Sequence, residues 1–143
     1  NKHQKFSFPS KNVKTKNISS LISKKYDSSL IYNDSFKHFK ILEKEIKSEK
    51  TIYQWRRQYV RENKNNVCPT LTANMGTGGH NVPIIKQGSV IRKLSPMECF
   101  LFQGFPKEFK LPNIAKSHLY KQSGNSVSVP VIQLLAKEIK KLF

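Results

Sequence analysis

VIRKLSPMECFLFQGFP, residues 90–106, carries the clearest secondary-structure signals in the chain. Its first five residues have the composition of a β-strand. Ser95 can then cap a helix, Pro96 suits the first helical position, and Glu98 can reach back to complete a capping box. Gly104 is typical of a residue that ends a helix. The stretch therefore predicts a strand followed at once by a short helix.

Two hairpins are predicted before this helix. Apolar and polar residues alternate over 51–61, which predicts one strand, and 63–66 are turn residues. Residues 67–73 are predicted to be the returning strand of that hairpin. A second hairpin is expected to pair 82–85 with 90–94. Short strands paired in this way indicate an antiparallel sheet.

Apolar residues at helical spacing predict helices on either side of the hairpins. Two stripes precede them: Ile18, Leu21, Ile22 and Tyr26, then Phe36, Phe39, Leu42 and Ile46. A longer helix is expected from about Val129 to near the C-terminus, with the stripe Val131, Leu134, Leu135, Ile139 and Leu142. The predicted fold class is therefore α+β, a small domain of short antiparallel strands and helices followed by C-terminal helices.

The charge of the chain indicates a polyanionic partner. Among its 143 residues, 26 are Lys or Arg and 9 are Asp or Glu, which gives a net charge of +17. This excess is spread along the chain, so nucleic acid is the default partner, although a basic protein can also adhere to it unspecifically. No stretch is apolar enough to predict a membrane span or a signal peptide, and two cysteines fit a reducing compartment. A cytoplasmic location is expected.

Two local features are candidates for binding nucleic acid. In a single strand over 51–61, one face carries Tyr53, Trp55, Arg57, Tyr59 and Arg61. Arginine pairs with guanine edges or phosphates, which makes Arg57 and Arg61 candidates. The alternative is that the aromatic side chains pack on a neighbour and the arginines are solvated.

The second feature is the glycine-rich loop MGTGGHN, residues 75–81, which could bring backbone amides close to a phosphate. The loop lacks the Gly-Lys-Ser/Thr of a P-loop, and it could equally be a hairpin connection. Cys68 and Cys99 have no histidine neighbour in sequence, so both are predicted to be structural. Taken alone, these residues indicate a binding module and not an enzyme.

Three blocks in the second half of the chain resemble C5-cytosine-specific DNA methyltransferases. PTLTANMGTGGHNVP, residues 69–83, resembles the end of that family's target-recognition domain. RKLSPMEC (92–99) and FQGFP (102–106) resemble its motif IX, and YKQSGNSV (120–127) resembles its motif X. Their order and spacing match the family, whereas residues 1–68 match it only loosely.

The resemblance implies a whole enzyme that flips a cytosine out of the duplex. A cysteine then adds to C6, and C5 takes a methyl group from S-adenosylmethionine. The family's Phe-x-Gly-x-Gly, Pro-Cys, Glu-Asn-Val and Gln-x-Arg-x-Arg blocks do not occur in this chain, which opens with Asn1. The expectation is therefore a segment of a longer enzyme that methylates nothing alone, with 1–91 as the recognition domain and 92–143 returning to an absent Rossmann-like catalytic domain.

The resemblance also implies roles for individual residues. The expected DNA-binding set is Arg57, Arg61, Thr70, Gly76, Gly78, Gly79, His80 and Arg92, with Thr70 at the DNA backbone and Arg92 bracing the recognition loops. The expected S-adenosylmethionine-binding set is Gly124, Asn125, Ser126 and Val127, with Gly124 permitting a turn. The stripe of the last helix is expected to cover the catalytic domain or, in its absence, a second copy of the chain.

The expected partners are double-stranded DNA and a catalytic domain or subunit, in a cytoplasmic protein held near the nucleoid by DNA. Restriction–modification is the usual setting of such enzymes. Two other interpretations stay open. The chain could be the small subunit of a naturally split methyltransferase, or a stand-alone basic DNA-binding module.

Overall fold

A four-stranded antiparallel sheet lies at the centre of the computed structural model, which describes residues 5–10, 17–65, 67–77 and 81–143. The strands are β1 (Ile52–Arg56), β2 (Tyr59–Asn63), β3 (Ile84–Gln87) and β4 (Val90–Lys93). Their order in the sheet is β2-β1-β3-β4, so the two hairpins join through the β1–β3 pair.

In the described ranges, four α-helices and three short 3₁₀ helices surround the sheet. The α-helices are α1 (Phe39–Glu45), α2 (Pro96–Phe102), α3 (Lys116–Asn125) and α4 (Val129–Lys140). The 3₁₀ helices are Ile18–Ser20, Ser28–Leu30 and Ala73–Gly76. The predicted α+β class is confirmed, but the first predicted helix is only a 3₁₀ turn. No apolar stripe predicts α3, because most of its residues are polar.

The predicted strand over 51–61 is wrong, because the chain turns back at Arg57 and Gln58. β1 and β2 pair closely around this two-residue turn, and Arg57 has a φ of 54°. The turn lacks the Asn-Gly or Asp-Gly pair that usually marks such a hairpin, so the sequence carries no signal that the strand ends there. The predicted returning strand over 67–73 is also wrong: residues 67–72 are irregular and lead into the 3₁₀ helix.

The early turn changes which side chains share a face of the sheet. Gln54 lies directly opposite Arg61, and residues directly opposite in an antiparallel pair point to the same side. Arg61 therefore shares its face with Gln54 and Arg56, and not with Tyr53 and Trp55 as a single strand requires. Tyr53 and Trp55 are 2% and 5% exposed and belong to the core, which confirms the packing alternative for these aromatics.

The second hairpin and the helix after it follow the sequence prediction. β3 and β4 are joined at Gly88, whose φ of +62° suits glycine. The N–H of Glu98 donates to the Ser95 side chain, and the Ser95 N–H donates to the Glu98 carboxylate over 2.6 Å. This is the predicted capping box, with Pro96 in the first turn of α2.

Both faces of the sheet are covered by apolar residues. One cluster, on the side of α2 and α3, contains Ile18, Ile52, Leu71, Met75, Val82, Ile85, Leu94, Cys99 and Tyr120. The other, on the side of α1, contains Tyr32, Leu42, Ile46, Tyr53, Trp55, Ile84 and Ile91. The division expected between residues 91 and 92 falls inside β4, and Tyr120 lies in the same cluster as Ile52.

Helix α4 lies outside both clusters. None of its residues is buried, and Val131, Ile132 and Ile139 are 45–49% exposed. It is attached at its start, where the Val129 N–H donates to the Gln103 carbonyl and Pro130 packs against Gly104. The apolar stripe that the sequence predicts is therefore present and largely uncovered.

Candidate nucleic-acid interface

A cleft of about 420 Å³ separates the β1–β2 hairpin from the loop 67–77. The residues that line it include Gln54, Arg56, Arg61, Thr70, Asn74 and Asn81. None of its described lining residues is acidic, and two guanidinium groups border it. The cleft therefore has the charge and the hydrogen-bond donors that suit an anionic ligand.

A second cleft lies at the tip of the same hairpin. It is lined by Trp55, Arg56, Arg57, Gln58, Tyr59 and Asn81, so that the two clefts share Arg56 and Asn81. We call the surface formed by Arg56, Arg57, Tyr59 and Arg61 the hairpin face. All four side chains are exposed. Across the described ranges, the three arginines form no ion pair with a carboxylate, so their charge is available to a ligand.

The structure brings together two of the residues predicted to bind DNA. Arg61 and Thr70 line the same cleft, and Thr70 is exposed between buried Pro69 and buried Leu71, which fix the loop beneath it. Arg57 was predicted to lie on a strand face, but it lies in the turn after β1 and lines the second cleft. Gly78, Gly79 and His80 lie outside the described residues.

The cleft residues that sequence reasoning missed include the polar side chains of Arg56, Asn74 and Asn81. In a single strand over 51–61, the alternation of side chains places Arg56 on the face opposite Arg61, and the turn reverses this. A two-residue turn after Arg56 would have placed both on one face, but the residues at this turn carry no signal. The approach of Asn74 and Asn81 to the hairpin depends on tertiary packing.

Two glycines pack α3 against the loop that carries Thr70. A Cβ on Gly76 would lie 2.5 Å from the Ser117 carbonyl oxygen, and a Cβ on Gly124 would lie 2.0 Å from the Thr72 carbonyl carbon. Both distances are too short for any side chain. The expectation that Gly124 permits a turn is therefore wrong: it lies within α3, where the absence of a side chain lets the helix approach the backbone of Thr72.

Arg92 is buried beneath the sheet and paired with Glu98. Its Nη1 and Nη2 each donate to a Glu98 carboxylate oxygen over 2.8 Å, and its Nε donates to Gln87 Oε1 over 3.0 Å. The Ser23 N–H donates to the same carboxylate over 2.9 Å. Arg92 is 0% exposed, so in this structure it cannot contact DNA itself, and its contacts are those of a residue that braces the fold.

The same contacts set the ionisation of Glu98. Burial acts to raise the pKa of its carboxyl, but hydrogen bonds from Arg92 and from the backbone of Ser95 and Ser23 outweigh that effect. The pKa of Glu98 is therefore below its ordinary value of 4.5, and the carboxylate stays charged. A bidentate pair of this kind holds the segment at Ser23 against the start of α2.

The residues expected at a cofactor lie where α3 ends. Asn125 is exposed and is the last residue of the helix, and Val127 is 51% exposed. The Ser126 hydroxyl donates to the Ser123 carbonyl over 2.6 Å. These residues line neither of the two clefts, so the chain offers an open edge here and not an enclosed pocket.

No three potential metal ligands come together among the described residues. None of the helices in the described part of the chain is long and apolar enough to cross a membrane.

The fold and the hairpin face identify the class of protein: a basic α+β protein whose arginine-lined cleft suits a polyanion. The family model for C-5 cytosine-specific DNA methylases matches residues 1–141, and the chain belongs to that family. This confirms the resemblance of its three sequence blocks.

Individual relatives agree with the family match. The chain is 54% identical over 142 residues to the type II methyltransferase M.Bsp6I of Bacillus sp. (strain RFL6), and the matched region covers 97% of this chain and 45% of that protein. It is 41% identical over 70 residues to M.SsoII of Shigella sonnei, covering 49% of this chain and 18% of the relative. The match to M.Bsp6I is to the C-terminal part of that protein. The chain thus spans less than half the length of these curated relatives.

Proposed function

We propose that this chain is the DNA-recognition part of a cytosine-C5 DNA methyltransferase. The complete enzyme transfers a methyl group from S-adenosylmethionine to C5 of a flipped cytosine in a specific duplex sequence. The observation that carries the proposal is the family match over residues 1–141, in a chain whose Arg61 and Thr70 meet in one basic cleft. Several relatives are named type II methyltransferases, which supports a role in restriction–modification.

DNA binding is assigned to the hairpin face and the loop beside it. Arg57 and Arg61 have exposed guanidinium groups that suit phosphates or base edges in the major groove. Thr70 is exposed on the opposite wall of the cleft from Arg61, in a position to meet the DNA backbone. Gly78, Gly79 and His80 follow this segment in sequence and are proposed to contact the DNA as well. Gly76 supports the loop from behind through its contact with α3.

S-adenosylmethionine binding is assigned to the segment 124–127, with the remainder of the site supplied by the catalytic part of the enzyme. Asn125 and Val127 are exposed and available to a ligand, whereas the Ser126 hydroxyl is engaged within the chain. The open edge described above fits a shared site. The chain alone is expected to bind the cofactor weakly or not at all.

The catalytic part is also the proposed cover of α4. Val131, Ile132 and Ile139 leave an apolar face that needs a partner, and a second copy of the chain is the alternative cover. M.Bsp6I carries the matching sequence within one longer protein, which favours a single-chain enzyme over a split one. The proposed location is the cytoplasm, with DNA holding the enzyme at the nucleoid.

A chimaera tests the proposal. This chain replaces the matching part of M.Bsp6I, and methyl transfer from labelled S-adenosylmethionine to plasmid DNA is measured. We expect methylation, which is lost when Arg61 and Thr70 are both changed to alanine while cofactor binding remains. A folded chimaera that binds cofactor and DNA but methylates nothing would contradict the proposal.

A mixture of the two parts, compared with the chimaera, tests the interpretation as a stand-alone module. If mixing the chain with the catalytic part of M.Bsp6I restores methyl transfer, the chain is part of a methyltransferase, whether single-chain or split, and not a stand-alone module. If the chain binds duplex DNA selectively but neither the mixture nor the chimaera methylates, a stand-alone DNA-binding module is supported.

A further inference from the structure

Arg56 differs from the other two arginines of the hairpin face because its guanidinium is held in place. Its Nε donates to Gln54 Oε1 over 3.0 Å. Gln54 is only 7% exposed and lies two residues earlier on the same face of β1. Within the described ranges, neither Arg57 nor Arg61 has a side-chain hydrogen bond to fix it. Gln54 therefore orients one guanidinium among three.

The hydrogen bond leaves the ligand-binding end of Arg56 free. It occupies only Nε, and in the described part of the chain Nη1 and Nη2 have no hydrogen-bond acceptor. The side chain is exposed where the two clefts meet, since Arg56 lines both of them. A ligand that spans the clefts must pass over these two donors.

We propose that Arg56 is a specificity-determining residue that reads guanine in the target duplex, and that Gln54 is its positioning residue. This inference rests on the proposed function. A phosphate is satisfied by any nearby cation, and the unrestrained Arg57 and Arg61 suit that role. A base edge requires two donors in a fixed plane. Guanine offers the acceptors O6 and N7 in the major groove, whereas adenine offers a donor at N6, so a fork of donors selects guanine.

The test measures base preference and overall affinity separately. The chain is incubated with a pool of duplexes whose central base pairs are randomised, and bound DNA is sequenced. The affinity for individual duplexes is then followed by fluorescence anisotropy over a range of salt concentrations. The variants are Arg56→Lys, Arg56→Ala and Gln54→Ala, and Lys110→Ala is the control because it removes an exposed charge that lines neither cleft.

We expect the unmodified chain to enrich a G·C pair at a defined position. Arg56→Lys keeps the charge and the salt dependence but loses the fork, so preference at that position should fall about ten- to a hundredfold. Gln54→Ala should lower the same preference while Arg56 keeps its charge. Lys110→Ala should keep both the preference and the salt dependence of the unmodified chain, because Lys110 lines neither cleft.

Two results would overturn the inference, and they are distinguishable. If Arg56→Lys keeps the preference and Arg56→Ala weakens binding to all duplexes equally, Arg56 is a phosphate contact and the proposed function stands. If the unmodified chain enriches no sequence, the chain does not read DNA by itself, and both the recognition role and this inference are contradicted. Urea unfolding of each variant shows whether it folds.

Discussion

Replacing Arg92 by methionine tests how the buried ion pair supports the fold. Arg92→Met keeps most of the side-chain volume but leaves the Glu98 carboxylate with only its backbone donors, at Ser95 and Ser23. The side chains of Arg92 and Glu98 are 0% and 2% exposed, so solvent cannot replace the lost partner. Removing one member of such a pair costs about 3–5 kcal/mol, out of about 5–15 kcal/mol for a whole domain.

The pKa of Glu98 predicts how the destabilisation caused by Arg92→Met changes with pH. In the native chain the pKa of Glu98 is depressed below 4.5, so its contribution to stability is present above that pH and is lost as the pH falls through the folded pKa. Without Arg92, burial acts against fewer donors, and the folded pKa of Glu98 should rise. The variant should then regain stability relative to the native chain as the pH falls. Other carboxylates, such as Asp27, cancel in this difference.

The assay is urea unfolding followed by the fluorescence of Trp55, which is the single tryptophan and is 5% exposed. Native chain, Arg92→Met, Glu98→Gln and the double variant are compared at about pH 7 and about pH 4.5. In the double variant no charge remains buried, so its loss should be smaller than the sum of the two single losses. A loss below about 1 kcal/mol for Arg92→Met, or strictly additive losses, would refute the reasoning.

Three further predictions concern single side chains. Gly124→Ala should lower the free energy of unfolding by about 1–3 kcal/mol despite the better helix propensity of alanine, because the new Cβ meets the backbone of Thr72 at 2.0 Å. The control, Gln122→Ala at an exposed site of α3, should be neutral or stabilising. Equal effects of the two substitutions would contradict the steric argument. Arg57→Asn should raise the free energy of unfolding by up to about 1 kcal/mol, since asparagine tolerates a φ of 54° better. The same substitution should weaken binding to duplex DNA, measured by fluorescence anisotropy. A lower free energy of unfolding would show that the turn is not strained. Cys68 is half-buried, and burial raises its pKa to about 12, so it should react slowly with a thiol reagent at mildly alkaline pH and fast in urea. Equally fast labelling of the native chain would contradict the raised pKa.

Features that depend only on neighbouring residues could be predicted from the sequence. The capping box of Ser95 and Glu98 is satisfied within one turn of helix, so the start of α2 could be predicted to the residue. The β3–β4 hairpin turns at Gly88, which takes a positive φ at no steric cost. Family membership was also legible, because the three blocks are continuous stretches of sequence.

The composition of the candidate site could not be predicted from the sequence, because it depends on tertiary packing. A strand has a side-chain period of two, so closing the hairpin at Arg57 moved Arg61 from the face of Trp55 to the face of Arg56. The close approach of Gly124 to Thr72 joins parts that are distant along the chain. Alternation and spacing describe one segment at a time, whereas a cleft between segments depends on how they pack together, and local residue patterns do not record that packing.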